Sequence, residues 1–152
     1  MYKHILVATD GSELSAHAVR QGSALASALV AKLSAVTVTL PFHVVSLDPR
    51  MITDTEPQYR EHMRKLADSH LALAEAEAKK FGLTCNLISR EHEHPWEGII
   101  KTAEEEGCDL IVMASHGRRG MSSLVIGSET TKVLTHCDIP VLVSRPHAES
   151  AR

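Results

Sequence analysis

Two short runs, Ile5-Leu6-Val7-Ala8 and Leu110-Ile111-Val112-Met113, are apolar at every position. A strand with one wet face would alternate. These do not, so each is expected inside a parallel sheet covered on both sides. Parallel neighbours need crossover connections, usually helices, and the rest of the chain supplies them. Strand patterns over His4–Thr9, Leu33–Leu40, Thr84–Arg90, Asp109–Ala114 and Val141–Val143 alternate with helix patterns over Glu13–Leu29, Pro57–Phe81, Trp96–Glu106 and Gly127–His136. The expected architecture is α/β: a doubly wound, five-stranded parallel sheet of order 3-2-1-4-5, with right-handed crossovers and helices on both faces. Asp10-Gly11-Ser12 reads as a turn and N-cap, Gly82 and Gly107 as helix stops, and Pro95 as a helix opener. Tyr59, Met63, Leu66, Leu73 and Phe81 are expected near one face of the long helix. Residues 41–56 contain Pro41, Pro49 and Asp54 and read as a long irregular stretch of the kind that forms a lid.

Composition narrows the partners. The chain has 152 residues, 43% hydrophobic but only 3% aromatic, which suits one domain with an aliphatic core, taken as residues 1–146 with a frayed tail over 147–152. Net charge is −3, with no announced basic face, so nucleic acid is not an expected partner. No apolar run approaches a membrane span, and Met1–Ala8 is too short for a signal peptide, so neither membrane nor export is expected. Cys85, Cys108 and Cys137 are odd in number and contain no Cys-x2-Cys, which reads as reduced thiols of a cytosolic protein. Among the 10 His, His92-x-His94 is a candidate metal pair, but with no Cys or third His beside it the pair is read as solvated, and no metal site made of protein side chains is assigned.

The chemistry gathers after the fourth strand. Ala114-Ser115-His116-Gly117 is followed by nine residues and then Gly127-Ser128 at a helix start. First-turn N–H groups lack partners within their helix, and the helix dipole favours an anion there. Glycine admits close backbone approach, and Arg118 and Arg119 add positive charge. Strand, loop and helix alone also suit a turn that binds nothing. In a doubly wound sheet, however, ligands sit beyond the carboxyl ends of the strands where their order reverses. Here that point lies between the first strand, ending Ala8-Thr9-Asp10, and the fourth, ending at Ala114.

Three segments resemble the universal stress protein family, and the likeness covers essentially the whole chain. They are Ile5–Ser12, Cys108–Gly120 and Ile139–Val143. The resemblance implies a Rossmann-like fold, a homodimer formed through the last strand, and, in members carrying Gly-x2-Gly-x9-Gly-(Ser/Thr), ATP binding with Mg2+ on the phosphates. Gly117, Gly127 and Ser128 match that motif, while Ala114 replaces its first glycine. If residue 114 is extended its methyl group is expected to fit; if left-handed, affinity should fall. Carried over, the nucleotide-binding set is Ala8, Thr9, Asp10, Val38, Met113, Ala114, Ser115, His116, Gly117, Arg118, Arg119, Gly120, Gly127, Ser128, Glu129 and Thr130. Asp10 is expected by the ribose or adenine edge, with Ala8 and Val38 bordering the base and Met113 and Ala114 beneath the nucleoside. Gly117, Arg118, Gly127, Ser128 and Glu129 are expected around the phosphates. Ser128 can also serve as an N-cap, Asp10 as a turn carboxylate, and Glu129 is expected to face solvent or reach a metal ion through water.

The leading function is therefore an ATP-binding, cytosolic stress-response regulator that acts by conformational or dimer change. The alternative is a homodimeric interaction module that has lost nucleotide binding, with Ala114 as its sequence support. An enzyme is not expected. There is no Walker Gly-x4-Gly-Lys-(Ser/Thr), and Asp10-Gly11-Ser12-Glu13 is not a dinucleotide-binding Gly-x-Gly-x2-Gly. Any ATP hydrolysis should be slow and incidental.

Overall fold

The computed structural model describes residues 1–45, 55–117 and 125–146. In chain order these form β1 (His4–Ala8), α1 (Glu13–Leu29), β2 (Lys32–Thr39), α2 (Phe42–Val45), α3 (Glu56–Lys79), β3 (Cys85–Glu91), α4 (Pro95–Glu105), β4 (Leu110–Ala114), α5 (Ser128–His136) and β5 (Val141–Ser144). The sheet runs β3-β2-β1-β4-β5 with every pairing parallel, as the sequence predicts.

The all-apolar strands divide their side chains between two cores. Ile5, Val7, Leu110, Val112 and Ala114 pack with Ala18, Val19 and Ala26 of α1 and Leu71, Ala74 and Ala78 of α3. Leu6, Ala8, Ile111 and Met113 pack with Ile99, Ile100 and Ala103 of α4 and Val133 of α5. Both sheet faces are thereby dry, which is why these strands carry no polar alternation.

Two expectations need correction. Within 41–56 the chain forms the short helix α2, whose Phe42 ring lies 5.5 Å from that of Tyr59. The remainder of the predicted lid, 46–54, lies outside the described residues. On α3 the buried face is Ala67, His70, Leu71, Ala74 and Ala78, while Leu73 is 58% exposed. The helix turns its alanine stripe inward because small residues let it lie close against α1 and the sheet. Thr55 starts α3 with a reciprocal cap: its hydroxyl accepts the Gln58 N–H and the Gln58 side chain accepts the Thr55 N–H.

Candidate functional site

The β1–α1 turn forms one wall. Ser12 caps α1 by accepting the Ser15 N–H at 3.2 Å, and Ser15 Oγ lies 3.1 Å from Thr9 Oγ1. Asp10 Oδ1 accepts the Ser12 N–H at 3.0 Å, the turn-carboxylate role. Its other oxygen, Oδ2, faces across to Gly117, where a Cβ would stand 2.9 Å away. Gly11 has φ +77°, and a Cβ there would stand 2.3 Å from the His70 ring, so only glycine fits. His70, buried on α3 with Nδ1 3.4 Å from Thr37 Oγ1, thus braces this turn. The sequence reading missed it, although His70 falls in register with Ala67, Leu71 and Ala74.

β4 and α5 form the opposite wall. Ala114 continues β4, paired with Ser144, and does not have a positive φ. Its methyl group is buried on the α1/α3 side, so the extended alternative holds. The Ser115 N–H donates to Ser144 O at 3.1 Å, and Ser115 O accepts the Gly127 N–H at 2.7 Å. The latter bond docks the start of α5 on the end of β4. Gly127 is the N-cap of α5 and, as a glycine, has no side chain with which to cap that end. The first bond of the i→i−4 series is Thr131 N–H to Gly127 O at 3.0 Å, which leaves the N–H groups of Ser128, Glu129 and Thr130 without intrahelical partners. The backbone approaches closely here: a Cβ on Gly127 would stand 3.2 Å from Ser115 O and 3.4 Å from His116 Cα.

His116 is 7% exposed. Its Nδ1 lies 3.0 Å from Ser115 Oγ, while Nε2 is buried and has no hydrogen-bond partner among the described residues. Thr130, 2% exposed, donates from Oγ1 to Ala114 O at 2.9 Å, so its hydroxyl fastens the helix rather than facing a ligand.

Residues 1–145 match the sequence model of the Universal stress protein family. The chain belongs to this family. Universal stress protein YxiE of Bacillus subtilis is 31% identical over 152 residues, covering 95% of this chain and 100% of its own. The solved structure of MJ0577, a universal stress protein of Methanocaldococcus jannaschii, matches with a TM-score of 0.80 at 28% identity, covering 97% of this chain and 99% of that one. A universal stress protein solved in complex with cAMP shares the fold at a TM-score of 0.73 and 23% identity, covering 96% and 99%.

In this universal stress protein several predicted site residues converge where β1, β4 and α5 meet: Thr9, Asp10, Ser115, His116, Gly117, Gly127 and Ser128. Ala8 and Met113 are buried on the α4/α5 side of the sheet, with Val38 half-buried against the same cluster. Arg118, Arg119 and Gly120 lie outside the described residues. Two roles are corrected. Ser128 is not the N-cap, because Gly127 holds that position and Ser128 begins the first turn. Glu129 does not simply face solvent: its Oε2 accepts the Trp96 N–H at 2.9 Å, at the start of α4. His94, the α4 N-cap residue, makes no side-chain cap bond, so Glu129 satisfies a donor the local sequence leaves open. Trp96 in turn stacks on His136 of α5, ring centroids 4.7 Å apart.

The candidate metal pair is engaged within the protein. His92 Nδ1 accepts the His94 N–H at 3.0 Å, and Nε2 lies 3.4 Å from Glu97 Oε2 and 3.4 Å from Lys101 Nζ. Among the described residues no group of three or more His, Cys, Asp or Glu side chains could hold a metal ion, and no helix is long and apolar enough to cross a membrane. All three cysteines are free thiols; burial pushes Cys85 up to about 11 and Cys108 up to about 12, and raises Cys137. Such thiols are poor nucleophiles at neutral pH.

Proposed function

We propose that this universal stress protein is a cytoplasmic, homodimeric regulator that binds ATP, with Mg2+ on the phosphates, between the ends of β1 and β4 and the N-terminus of α5. One observation carries the reading: the first turn of α5, with glycine as its N-cap, is docked on the end of β4 by Gly127, at the point where strand order reverses. A relative of the same fold solved with cAMP supports a nucleotide as the class of ligand. Asp10 Oδ2, facing Gly117 across the gap, is suited to accept a ribose hydroxyl. Glu129, directly after Ser128, has its carboxylate engaged by the Trp96 N–H of α4. Mg2+ fits as an ion carried by phosphate oxygens and water, its usual mode.

The role is regulatory rather than catalytic. The hydroxyl of Thr130 and the carboxylate of Glu129 are committed to backbone groups, so neither is poised to orient an attacking water. Nucleotide occupancy would act through the α5–α4 contact and the packing of the dimer. Ala114 does not favour the interaction module that has lost its nucleotide, since its methyl is accommodated in an extended strand. Calorimetry with ATP and Mg2+ tests this. Micromolar to submillimolar binding is expected for the wild type and for Ala114→Gly alike. Binding by Ala114→Gly alone would give the interaction module first place.

A further inference from the structure

We infer that His116 takes up a proton when phosphate binds at the N-terminus of α5, so that nucleotide affinity in this protein is tied to pH. The inference rests on the nucleotide reading above and adds the regulation of that site.

It starts from an anomaly. Buried polar nitrogens are almost always hydrogen-bonded, and an exception needs a reason. His116 Nε2 is buried with no partner among the described residues, although the same ring places Nδ1 3.0 Å from Ser115 Oγ. The ring lies beside the helix start: Cδ2, which is bonded to Nε2, is 3.8 Å from where a Cβ on Gly127 would stand. Gly127 has no Cβ, so it places no side chain of its own between this ring and the first turn of α5. A helix N-terminus whose N-cap is glycine and a buried ring nitrogen without a partner among the described residues therefore lie side by side.

The protonation balance follows in either tautomer. Ser115 occupies Nδ1, its hydroxyl donating or accepting as the tautomer requires. One proton taken from solvent makes the ring cationic. Nδ1–H then donates to Ser115 Oγ, and Nε2–H is available to a phosphate oxygen. Neutral, the ring leaves Nε2 unpaired; protonated beside a phosphate, it gains a partner and a counter-charge. Among the described residues, the charged and titratable neighbours on each packed element are few. On the β1 side Asp10 faces Gly117. From α1, His17 Nδ1 lies 2.8 Å from Ser144 Oγ, one strand away. Arg145 follows β5, and Glu129 of α5 is held by the Trp96 N–H. A ligand phosphate would be the new charge in this set.

Calorimetry of Mg-ATP binding in two buffers of different ionisation enthalpy, from about pH 6 to 8, reads the coupling directly. The wild type should take up a fraction of a proton approaching one, and bind more tightly as pH falls. His116→Gln keeps a donor but cannot titrate, and should lose that uptake, leaving only the part due to the nucleotide's own phosphate. Adenosine should bind the wild type without uptake. In the unaltered protein, the His116 ring resonances should move toward the imidazolium position when ATP is added, a readout independent of whether His116→Gln folds. Equal proton uptake by wild type and His116→Gln, or unmoved ring resonances with ATP bound, would overturn this inference alone. Absence of ATP binding would overturn the nucleotide reading and this inference with it.

Discussion

Gly127 is the residue at which backbone geometry and the proposed ligand approach coincide. A valine there would set its Cβ 3.2 Å from Ser115 O and 3.4 Å from His116 Cα, pushing α5 off the end of β4 and covering the first-turn N–H groups. Gly127→Val should weaken ATP binding tenfold or more, about 1.4 kcal/mol, as read by calorimetry, while Ser128→Ala should cost less because the backbone donors remain. A stability change is expected at Val30, far from this site. It caps α1 in the left-handed region, φ 54°, and is 93% exposed, so its branched side chain is strained and packs against little. Val30→Gly should raise stability by roughly 1 kcal/mol in urea denaturation. A destabilised variant would show that the strain is not real.

At the scale of elements, the bond from the Trp96 N–H to Glu129 joins α5 to α4. Glu129→Ala should lower stability by about 1 kcal/mol, as loss of a cap does, and Glu129→Gln by less. Trp96 is the only tryptophan, so its emission should shift in the alanine variant; identical spectra in wild type and variant would mean the contact does not hold. A second tie joins β1 to β4. Asp109 accepts the Lys3 N–H at 2.8 Å and the His4 N–H at 3.0 Å. Burial alone would raise its carboxyl, but the backbone donors outweigh burial and hold it below the ordinary range. The stability it contributes is present above the unfolded titration near pH 3.9 and is lost as pH falls through the lower folded value. Asp109→Asn should therefore cost about 1 kcal/mol at pH 7, with the difference closing as pH falls through the lowered folded titration. Neither tie was legible in the sequence. Asp109 read only as the start of a strand, and Glu129 bonds a residue 33 positions away. What could be read were features that local pattern controls, such as the glycine at the start of α5. The face of α3 was misread because hydrophobic size, and not the alanine stripe, was followed.

The whole molecule was the most legible scale, since strands without polar alternation can be buried only in a covered parallel sheet, and helix patterns between them leave few topologies. What the fold leaves open is its edge. β5 ends the sheet order, with only β4 as its neighbour among the described residues. An edge strand offers unpaired backbone groups and is normally covered or joined to another chain. Leu142, at its centre, remains 37% exposed, and Leu134 of α5 remains 43% exposed. Along β5, Leu142 shares a face with Ser144, which His17 of α1 contacts, while Val141 packs on the opposite core. In a twofold dimer each Leu142 would be covered once per protomer, so any substitution acts twice. Sedimentation at micromolar concentration should give twice 16.6 kDa for the wild type. Leu142→Asp should weaken association about tenfold or more, since it removes apolar burial and buries charge on both sides of the axis. Its circular dichroism should stay that of the wild type, because Leu142 is not part of either core. A wild type that sediments only as a monomer would remove the dimer. A dimer indifferent to Leu142→Asp would move the interface away from this face of β5.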